Sequence, residues 1–191
     1  MAKNKKMLHG SRRAKGRRLQ VELAEALSQH FRWTIEAVPP TRPGKRANGA
    51  VWIAEDQHPD LRVRRSGEAG VDVALLTPRA QERLTMEGKK LFFECKNVEK
   101  AWDFGPQFWV TGNLVYVSRL LRDLSQRSLI MSLYQPAVVL GKNRWPPLVA
   151  WHASVEQCAL LGQRGAPVAH GGPWPHQWTI TSLYHWMRLF G

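Results

Sequence analysis

The stretch KKLFFECKNVEK, residues 89–100, joins an apolar run to an acid and a base. Side chains alternate between the two faces of a strand, so Phe92, Glu94 and Lys96 share one face of the strand predicted over residues 90–96. The opposite face carries only apolar side chains and a cysteine, which suits a sheet interior. The stretch therefore predicts a core strand that ends with a carboxylate and an ammonium group.

A second strand with an acid is predicted upstream, in VDVALL at residues 71–76. If the two strands pair antiparallel, a register that keeps their apolar faces together also brings Asp72 to the side of Glu94 and Lys96, because a one-residue slip would turn one strand over. Cross-strand neighbours lie about 4.5–5.5 Å apart at Cβ, and diagonal neighbours about 7–8 Å. Two carboxylates this close are expected to hold a divalent cation, since their like charges otherwise repel.

Carboxylates and water suit a hard ion such as Mg²⁺, which would act on a phosphate as a Lewis acid and help to generate hydroxide from bound water. Lys96 is expected to position or deprotonate that water, or to neutralise charge in the transition state. The triplet Glu-x-Lys alone is not specific, because a second copy at residues 87–89 lies in a predicted turn. The competing interpretation is a solvated strand end, where Glu94 and Lys96 form a surface ion pair worth about 0–1 kcal/mol.

The order of the remaining elements predicts an α/β fold, with a mixed central sheet and helices on its faces. Leucines and a phenylalanine recur every four residues between Lys15 and Phe31, which predicts the first helix. Further strands are predicted over residues 32–38, 50–55, 61–65, 136–141 and 147–153, and further helices over 107–127 and 180–190. The expected organisation is a flexible basic arm at 1–14, a main domain at 15–155 and a C-terminal extension with a short helix at 156–191.

The distribution of charge points to a polyanionic partner. The chain of 191 residues has 28 Lys and Arg against 15 Asp and Glu, a formal net charge of +13. Eight of these bases fall in residues 1–18, which contain no acid. A basic segment on a mildly basic domain is typical of nucleic-acid binding, and a solubilising tail is the alternative.

Cysteine content and hydropathy indicate the cellular compartment in which the protein is expected to work. Cys95 and Cys158 are too few for a disulfide framework and have no zinc-ligand spacing. No apolar stretch has the length of a membrane span, and the N-terminus lacks the apolar core of a signal peptide. We therefore expect a protein of a reducing cytoplasm with no membrane partner.

Several stretches resemble the PD-(D/E)xK nuclease superfamily. RVRRSGEAGVDVALLTP (62–78) and FFECKNVEK (92–100) are similar to bacteriophage and prophage proteins assigned there as Holliday junction resolvases or endonucleases. AKGRRLQVELAEAL (14–27) resembles the opening helix of the resolvase branch, and GKNRWPPLVAW (141–151) resembles a later strand pair. The resemblance covers roughly residues 11–152 in pieces, which would make residues 15–155 the nuclease domain.

The resemblance implies a restriction-endonuclease-like fold and assigns roles to the motif. Asp72 and Glu94 would be the metal-binding acids for Mg²⁺, with Mn²⁺ as an alternative, and Lys96 the catalytic lysine. Resolvases place a further acid of the first helix where this chain has Gln20, which could ligate through its carbonyl or through water. Glu22 is nearby but two residues along, on a different face of a helix. The helix acid and the number of metal ions stay open.

Basic and polar residues around the motif are expected to contact the DNA backbone, which would make binding steeply salt-dependent. The residues concerned are Lys15, Arg17, Arg18, Arg64, Arg65, Asn97, Lys100 and Arg144, with Ser66 shaping the loop beside them. The alternative for Arg64 and Arg65 is a solvent-exposed strand edge.

The motif, the charge and the resemblance together predict a Mg²⁺-dependent DNA endonuclease that hydrolyses phosphodiester bonds. The expected substrate is a branched Holliday junction recognised by shape, and symmetric cleavage would require a homodimer. Two alternatives stay open: another nuclease of the superfamily, restriction-like or acting on DNA ends, and a non-catalytic nucleic-acid-binding protein. Val71 stands where the superfamily has proline. The resemblance places the protein in a bacterial cytoplasm, or in that of the host cell if a phage encodes it.

Overall fold

The computed structural model shows one sheet with helices packed on it. It describes residues 2–37, 44–45, 49–65, 68, 70–97, 119–124, 134–141, 146–166, 168–171 and 178–191, with the backbone alone for 2–15, 44–45 and 169–171. The strands are β1 (Thr34–Glu36), β2 (Gly44–Lys45), β3 (Val51–Ile53), β4 (Leu61–Val63), β5 (Val73–Leu75), β6 (Thr85–Met86), β7 (Lys89–Asn97), β8 (Tyr134–Gly141), β9 (Leu148–Trp151), β10 (Ala169–Gly171) and β11 (Trp178–Ser182). The helices are α1 (Ala2–Phe31), α2 (Pro78–Arg83), α3 (residues 119–124), α4 (Val155–Gln163) and α5 (Leu183–Met187), with a 3-10 turn at Glu55–Gln57.

The strands of the described residues form one mixed sheet in the order β10-β11-β9-β8-β7-β5-β4-β1-β3-β2, with β6 paired to β7. The pairs β1–β3, β1–β4 and β7–β8 are parallel, and the other pairs are antiparallel. Strand β8 is buried on both faces, which explains its continuous apolar run. The prediction of an α/β fold with a mixed sheet is confirmed.

Helix α1 covers one face of the sheet. Leu19, Leu23 and Leu27, spaced four residues apart, are buried there, as the periodicity predicts. They belong to the same core as Phe93 of β7 and Trp151 of β9. The apolar side of the strand that ends in Glu-Cys-Lys therefore faces α1.

Helix α3 covers part of the opposite face, where Leu121 packs with Val138 and Leu140 of β8. The intervening Val139 belongs to the core under α1, as the alternation of a strand requires. Only residues 119–124 of the helix predicted over 107–127 are described, so the ends of that prediction lie outside the described residues.

The first helix begins earlier than the sequence analysis predicts. A flexible arm is expected at residues 1–14, whereas α1 runs from Ala2 to Phe31 and places residues 2–14 in the helix. These residues contain no proline and are rich in Ala, Leu, Met, Lys and Arg, which have high helix propensity. None of the described helices is both long and apolar enough to traverse a lipid bilayer.

The C-terminal segment also departs from the prediction. Strand β11 pairs with β9, and the ring of Trp186 in α5 lies edge-on to that of Phe93, 5.8 Å away. Residues 178–191 therefore complete the main sheet and core instead of forming a separate extension at 156–191. The helix expected over 180–190 starts at Leu183, because the β-branched residues before it join the sheet. Helix α4 was not predicted, although Ser154 and Gln157 form a capping box at its start.

Gly141 lets α1 approach the sheet closely. A Cβ atom at this position would lie 2.8 and 2.9 Å from the two Cδ atoms of Leu19, whose side chain is buried. We expect Gly141→Ala to lower the free energy of unfolding by about 1–3 kcal/mol, because the overpacked core must shift. Urea denaturation measures this change.

Gly162 in α4 is the matched control, since a Cβ atom there meets nothing within 4 Å. Gly162→Ala should raise the free energy of unfolding by about 0.5–1 kcal/mol, as for Gly to Ala inside a helix. In a Leu19→Ala background most of the cost of Gly141→Ala should disappear. An equal cost in both backgrounds would contradict the contact.

Candidate active site

Four neighbouring strands bring charged side chains to one edge of the sheet. Strands β1 and β4 run toward this edge, β5 starts from it and β7 returns to it, since β4–β5 and β5–β7 are antiparallel. The group, called the charged edge here, consists of Glu36, Arg64, Arg65, Asp72, Glu94 and Lys96. Each of its acids forms an ion pair with one of its bases.

The register of β5 and β7 sets Asp72 beside Glu94. Val73 pairs with Phe93, and the N–H of Asp72 donates to the carbonyl of Phe93 at 3.0 Å. If this antiparallel register is continued by one residue, Asp72, which precedes β5, comes opposite Glu94. The predicted antiparallel pairing, with matched apolar faces, is confirmed.

The carboxylate of Asp72 is held along the edge of the sheet and is almost fully buried. Its Oδ2 accepts the backbone N–H of Cys95 at 2.6 Å, in the place that a strand carbonyl would take. Its Oδ1 accepts Nε2 of Gln20 at 2.8 Å and lies 2.6 Å from Nη2 of Arg64. Only 2% of the side chain is exposed. Asp72 is thus enclosed by protein donors, unlike the open carboxylate that the sequence suggests.

Burial raises the pKa of Asp72 above its ordinary value. The hydrogen bond from Cys95 lowers this pKa, the negative charge of Glu94 raises it, and the charges of Arg64 and Lys96 lower it. The two carboxylates are therefore within electrostatic range of each other. The ionised form of Asp72 is favoured by the hydrogen bond from Cys95 and by the cationic groups around it.

Glu94 and Lys96 form the more accessible part of the charged edge. The ammonium group of Lys96 donates to Oε1 of Glu94. Their side chains are 18% and 36% exposed, so a ligand from solvent meets this pair before it meets Asp72.

Helix α1 reaches the charged edge through Gln20 and Arg17. The contact of Gln20 with Asp72 places this residue at the site, as the resemblance implies. Arg17 donates to the carbonyl of Arg64, and burial lowers the pKa of Arg17. Arg64 in turn donates from Nη1 to the carbonyl of Gly70 at 2.9 Å. Glu22 is exposed on α1.

Arg65 is engaged with an acid that the sequence analysis did not single out. Its Nη2 lies 2.8 Å from Oε1 of Glu36, a side chain only 2% exposed, and 3.5 Å from Oε2 of Glu55. The hydrogen bond to Glu36 raises the pKa of Arg65. A phosphate contact by Arg65 would compete with Glu36, and this contact stays a prediction.

The remaining predicted DNA contacts are only partly described. Arg18 is exposed on α1, and Asn97 is half-buried at the end of β7. Lys15 lies in α1, where the backbone alone is described. The predicted residues outside the described part of the chain are Ser66, Lys100 and Arg144.

The charged edge contains carboxylate oxygens, which are the type of ligand that a hard divalent cation binds. Asp72 and Glu94 are the acids that could hold it, with water completing the shell, as Mg²⁺ prefers. Gln20 turns its amide nitrogen toward Asp72, so ligation through its carbonyl stays a prediction. Within the described ranges, no cluster of three or more His, Cys, Asp or Glu residues is positioned for a metal ion. The guanidinium of Arg64 now bonds to Oδ1 of Asp72, so a cation that used this oxygen would have to displace it.

Asp60 is another buried acid that the sequence analysis missed. It precedes β4, at the edge opposite Arg64, and Arg79 binds its two oxygens at 2.8 and 2.5 Å. Thr77 Oγ1 donates to it at 2.6 Å and the N–H of Thr34 at 3.0 Å. Burial would raise the pKa of Asp60, but these hydrogen bonds outweigh burial and lower the pKa to about 2. The sequence analysis assigned QHPD to a turn, so it did not predict that Asp60 links β4 to α2 and β1.

Comparisons with known proteins leave the family of this chain open. The chain matches no family model, no curated protein and no solved structure. The resemblance carried by residues 62–78 and 92–100 therefore stays a prediction, and the geometry of the charged edge is the main basis for a functional proposal.

Asp60→Asn should lower the free energy of unfolding at neutral pH, because the amide loses the ion pair with Arg79. Since the folded pKa is below the unfolded value of 3.8, ionised Asp60 stabilises the fold above that value. This contribution is lost as the pH falls through about 2. The stability difference between the two proteins should therefore shrink below about pH 4, as urea titrations at several pH values would measure. Glu82→Gln, at an exposed acid of α2, is the control; a difference for Asp60→Asn that does not change with pH would contradict the assignment.

Proposed function

We propose that the charged edge is the active site of a Mg²⁺-dependent DNA endonuclease that hydrolyses phosphodiester bonds. The observation that carries the proposal is the pairing of Val73 with Phe93, which brings the neighbouring Asp72 and Glu94 together, with Lys96 bonded to Glu94. The same placement supports the restriction-endonuclease-like fold that the resemblance implies. The alternative of a solvated strand end accounts for the ion pair of Glu94 and Lys96, but it leaves the burial of Asp72 and its contact with Gln20 of α1 unexplained.

In this proposal Asp72 and Glu94 bind Mg²⁺, or Mn²⁺, through their carboxylate oxygens. The ion would polarise the scissile phosphate and lower the pKa of a coordinated water. The ammonium group of Lys96 would orient the attacking water, or stabilise the charge that develops on the phosphate. Arg64, once displaced from Asp72, could bind a non-bridging phosphate oxygen through charge-assisted hydrogen bonds.

Helix α1 supports the choice of DNA as substrate. Eight Lys and Arg fall in residues 1–18, and α1 begins at Ala2. From Gln20 at the charged edge back to Ala2, the helix extends about 27 Å at a rise of 1.5 Å per residue. A basic helix of this length beside the site could bind the phosphate backbone of a DNA arm through its Lys and Arg residues.

We further propose a branched junction as the preferred substrate, on the strength of the resemblance. A four-way junction presents equivalent strands, so symmetric cleavage requires two active sites related by a two-fold axis. The acting form would then be a homodimer that recognises the junction by shape and backbone.

The test is cleavage of synthetic four-way junctions, duplexes and single strands by the purified full chain, with Mg²⁺ or with EDTA. We expect metal-dependent cutting, with paired nicks in the junction. Lys96→Ala and Asp72→Asn should each lose about 100-fold or more in the rate of cutting while still binding DNA, because they remove groups that act on the reacting phosphate.

The second Glu-x-Lys triplet supplies matched controls. Glu87 is exposed in the turn before β7 and Lys89 is exposed at the start of β7, and Glu87→Gln and Lys89→Ala should cut DNA like the unchanged protein. If folded protein cuts none of the substrates with Mg²⁺ or Mn²⁺, the proposal fails.

The second candidate function is a non-catalytic nucleic-acid-binding protein. It is favoured by the charge balance of the edge, where every acid is already paired with a base. In that case Lys96→Ala would leave DNA binding unchanged and no metal-dependent cutting would be seen with any variant.

Arg64→Gln should increase the affinity for Mg²⁺ about tenfold, because the guanidinium no longer competes for Oδ1 of Asp72. This magnitude corresponds to the lower end of the roughly 1.5–3 kcal/mol of a hydrogen bond to a charged group. Isothermal titration calorimetry without DNA measures the affinity, and thermal melting with and without Mg²⁺ gives an independent readout.

Arg62→Gln is the control, since it removes the same charge from the same segment two residues away. Its Mg²⁺ affinity should change much less than that of Arg64→Gln. Equal affinities for the two variants would mean that the ion does not use the oxygen that Arg64 occupies.

A further inference from the structure

A cavity of about 410 Å³ lies on the sheet between β5, α2, β7 and the start of β8. We call it the side cavity, and the lining residues that matter here are Ala74, Leu75, Gln81, Lys90, Phe92 and Tyr134. Its volume lies within the range of about 300–1,000 Å³ that is usual for small-molecule sites.

The side cavity lies on the face of β7 that carries Glu94 and Lys96 of the charged edge. Phe92, in the wall of the cavity, is two residues before Glu94 on this same side of β7. At about 3.3 Å per residue, Phe92 stands roughly 6.6 Å from Glu94 along the strand. This offset is about twice the 3.4 Å rise between stacked nucleotides of one DNA strand. A nucleotide next to a phosphate at the charged edge can therefore reach the side cavity once its base leaves the stack.

The walls of the side cavity suit a flat heterocycle. Phe92 and Tyr134 contribute aromatic rings, and Ala74 and Leu75 contribute small and aliphatic surface. Stacking on aromatic side chains holds bases of any sequence, because every base has a π-face.

Two polar side chains of the side cavity, Gln81 and Lys90, are held by hydrogen bonds, and Lys90 carries a positive charge. Gln81 Nε2 donates to the carbonyl of Leu75 at 3.0 Å, and Gln81 Oε1 accepts Nζ of Lys90 at 2.8 Å. This partner of Lys90 is a neutral amide, so the bond leaves the charge of the ammonium uncompensated. The side cavity therefore favours a ligand that has hydrogen-bond acceptors and a nearby negative charge.

We propose that the side cavity receives an unpaired nucleobase of the DNA strand whose phosphate lies at the charged edge. This inference rests on the proposed function and narrows its substrate to DNA with at least one unstacked nucleotide next to the scissile phosphate. Lys90 contacts the base or its phosphate, and Phe92 and Tyr134 stack on the ring.

The test is binding in EDTA, so that it does not depend on cutting. Fluorescence anisotropy compares a paired duplex with the same duplex carrying one unpaired 2-aminopurine. The unchanged protein should prefer the unpaired DNA about five- to hundredfold, the range expected for one stacked base. Phe92→Ala should bring this ratio close to one with little change in the affinity for the paired duplex, and the change in 2-aminopurine fluorescence on binding should disappear.

Two further variants keep the outcome decisive. Phe92→Leu keeps an apolar side chain without the ring, so it serves if Phe92→Ala does not fold, and it should also lose most of the preference. Leu76→Ala, at an exposed position of the segment after β5, is the matched control and should keep it. An unchanged preference in folded Phe92→Leu, or no preference in the unchanged protein, overturns the inference.

The two proposals can fail separately. Metal-dependent cutting without a preference for the unpaired base would keep the endonuclease and exclude the base site. A preference that depends on Phe92, in a protein that cuts no DNA, would leave a nucleobase site in a binding protein.

Discussion

The hydrogen bond from the N–H of Cys95 to the carboxylate of Asp72 ties the candidate active site to the central sheet. It lies one step beyond the paired residues Val73 and Phe93, where the side chain continues the ladder that the backbone of β5 no longer supplies. A one-residue slip of either strand would place the acids on opposite faces and expose an apolar face. The packing of α1 on Phe93 therefore also holds the two carboxylates in place.

Burial makes such an arrangement costly unless the charges are compensated. Asp72 is 2% exposed and burial raises its pKa, whereas the hydrogen bond from Cys95 and the charges of Arg64 and Lys96 lower this pKa and favour the ionised form. Glu36 is equally buried and is paired with Arg65. Removing one partner from a pair of this kind leaves an unpaired charge in the protein. Each base of the charged edge therefore already forms an ion pair with an acid of the protein, before any ligand binds.

The placement of Asp72, Glu94 and Lys96 could be predicted from the sequence because it depends on alternation, which is a local property of strands. The partners of Asp72 could not be predicted in this way. Gln20 lies 52 residues away from it in the chain, and only the resemblance pointed to that position. The closure of Arg64 over Asp72 depends on the loop between β4 and β5, which carries no periodic signal.

The ion pair of Asp60 and the last strand could not be predicted either, because both depend on contacts between residues that are far apart in the sequence. The bond between Asp60 and Arg79 joins the start of β4 to α2, and a sequence in which Asp60 follows proline in a turn does not reveal it. In the last segment the apolar spacing fits a helix from residue 180 onward. The free edge of β9 nevertheless recruits residues 178–182 as a strand, because pairing there satisfies backbone groups that would otherwise be buried without partners.

A neutral glutamine at position 20 fits the charged edge better than an acid would, because the acids there are already paired with bases. An acid there would add a third negative charge to those of Asp72 and Glu94, next to the Oδ1 atom that now accepts Gln20 at 2.8 Å, with Arg64 and Lys96 as the nearby positive charges. The neutral amide holds Asp72 without adding charge, so the edge can fold without a cation. Among the charged donors to Asp72, a proposed metal ion would then have to displace the guanidinium of Arg64 from Oδ1. The backbone of this arginine is anchored by Arg17, so only its side chain has to move. Once displaced from Asp72, the guanidinium of Arg64 would stay next to the site and could form charge-assisted hydrogen bonds with an incoming phosphate.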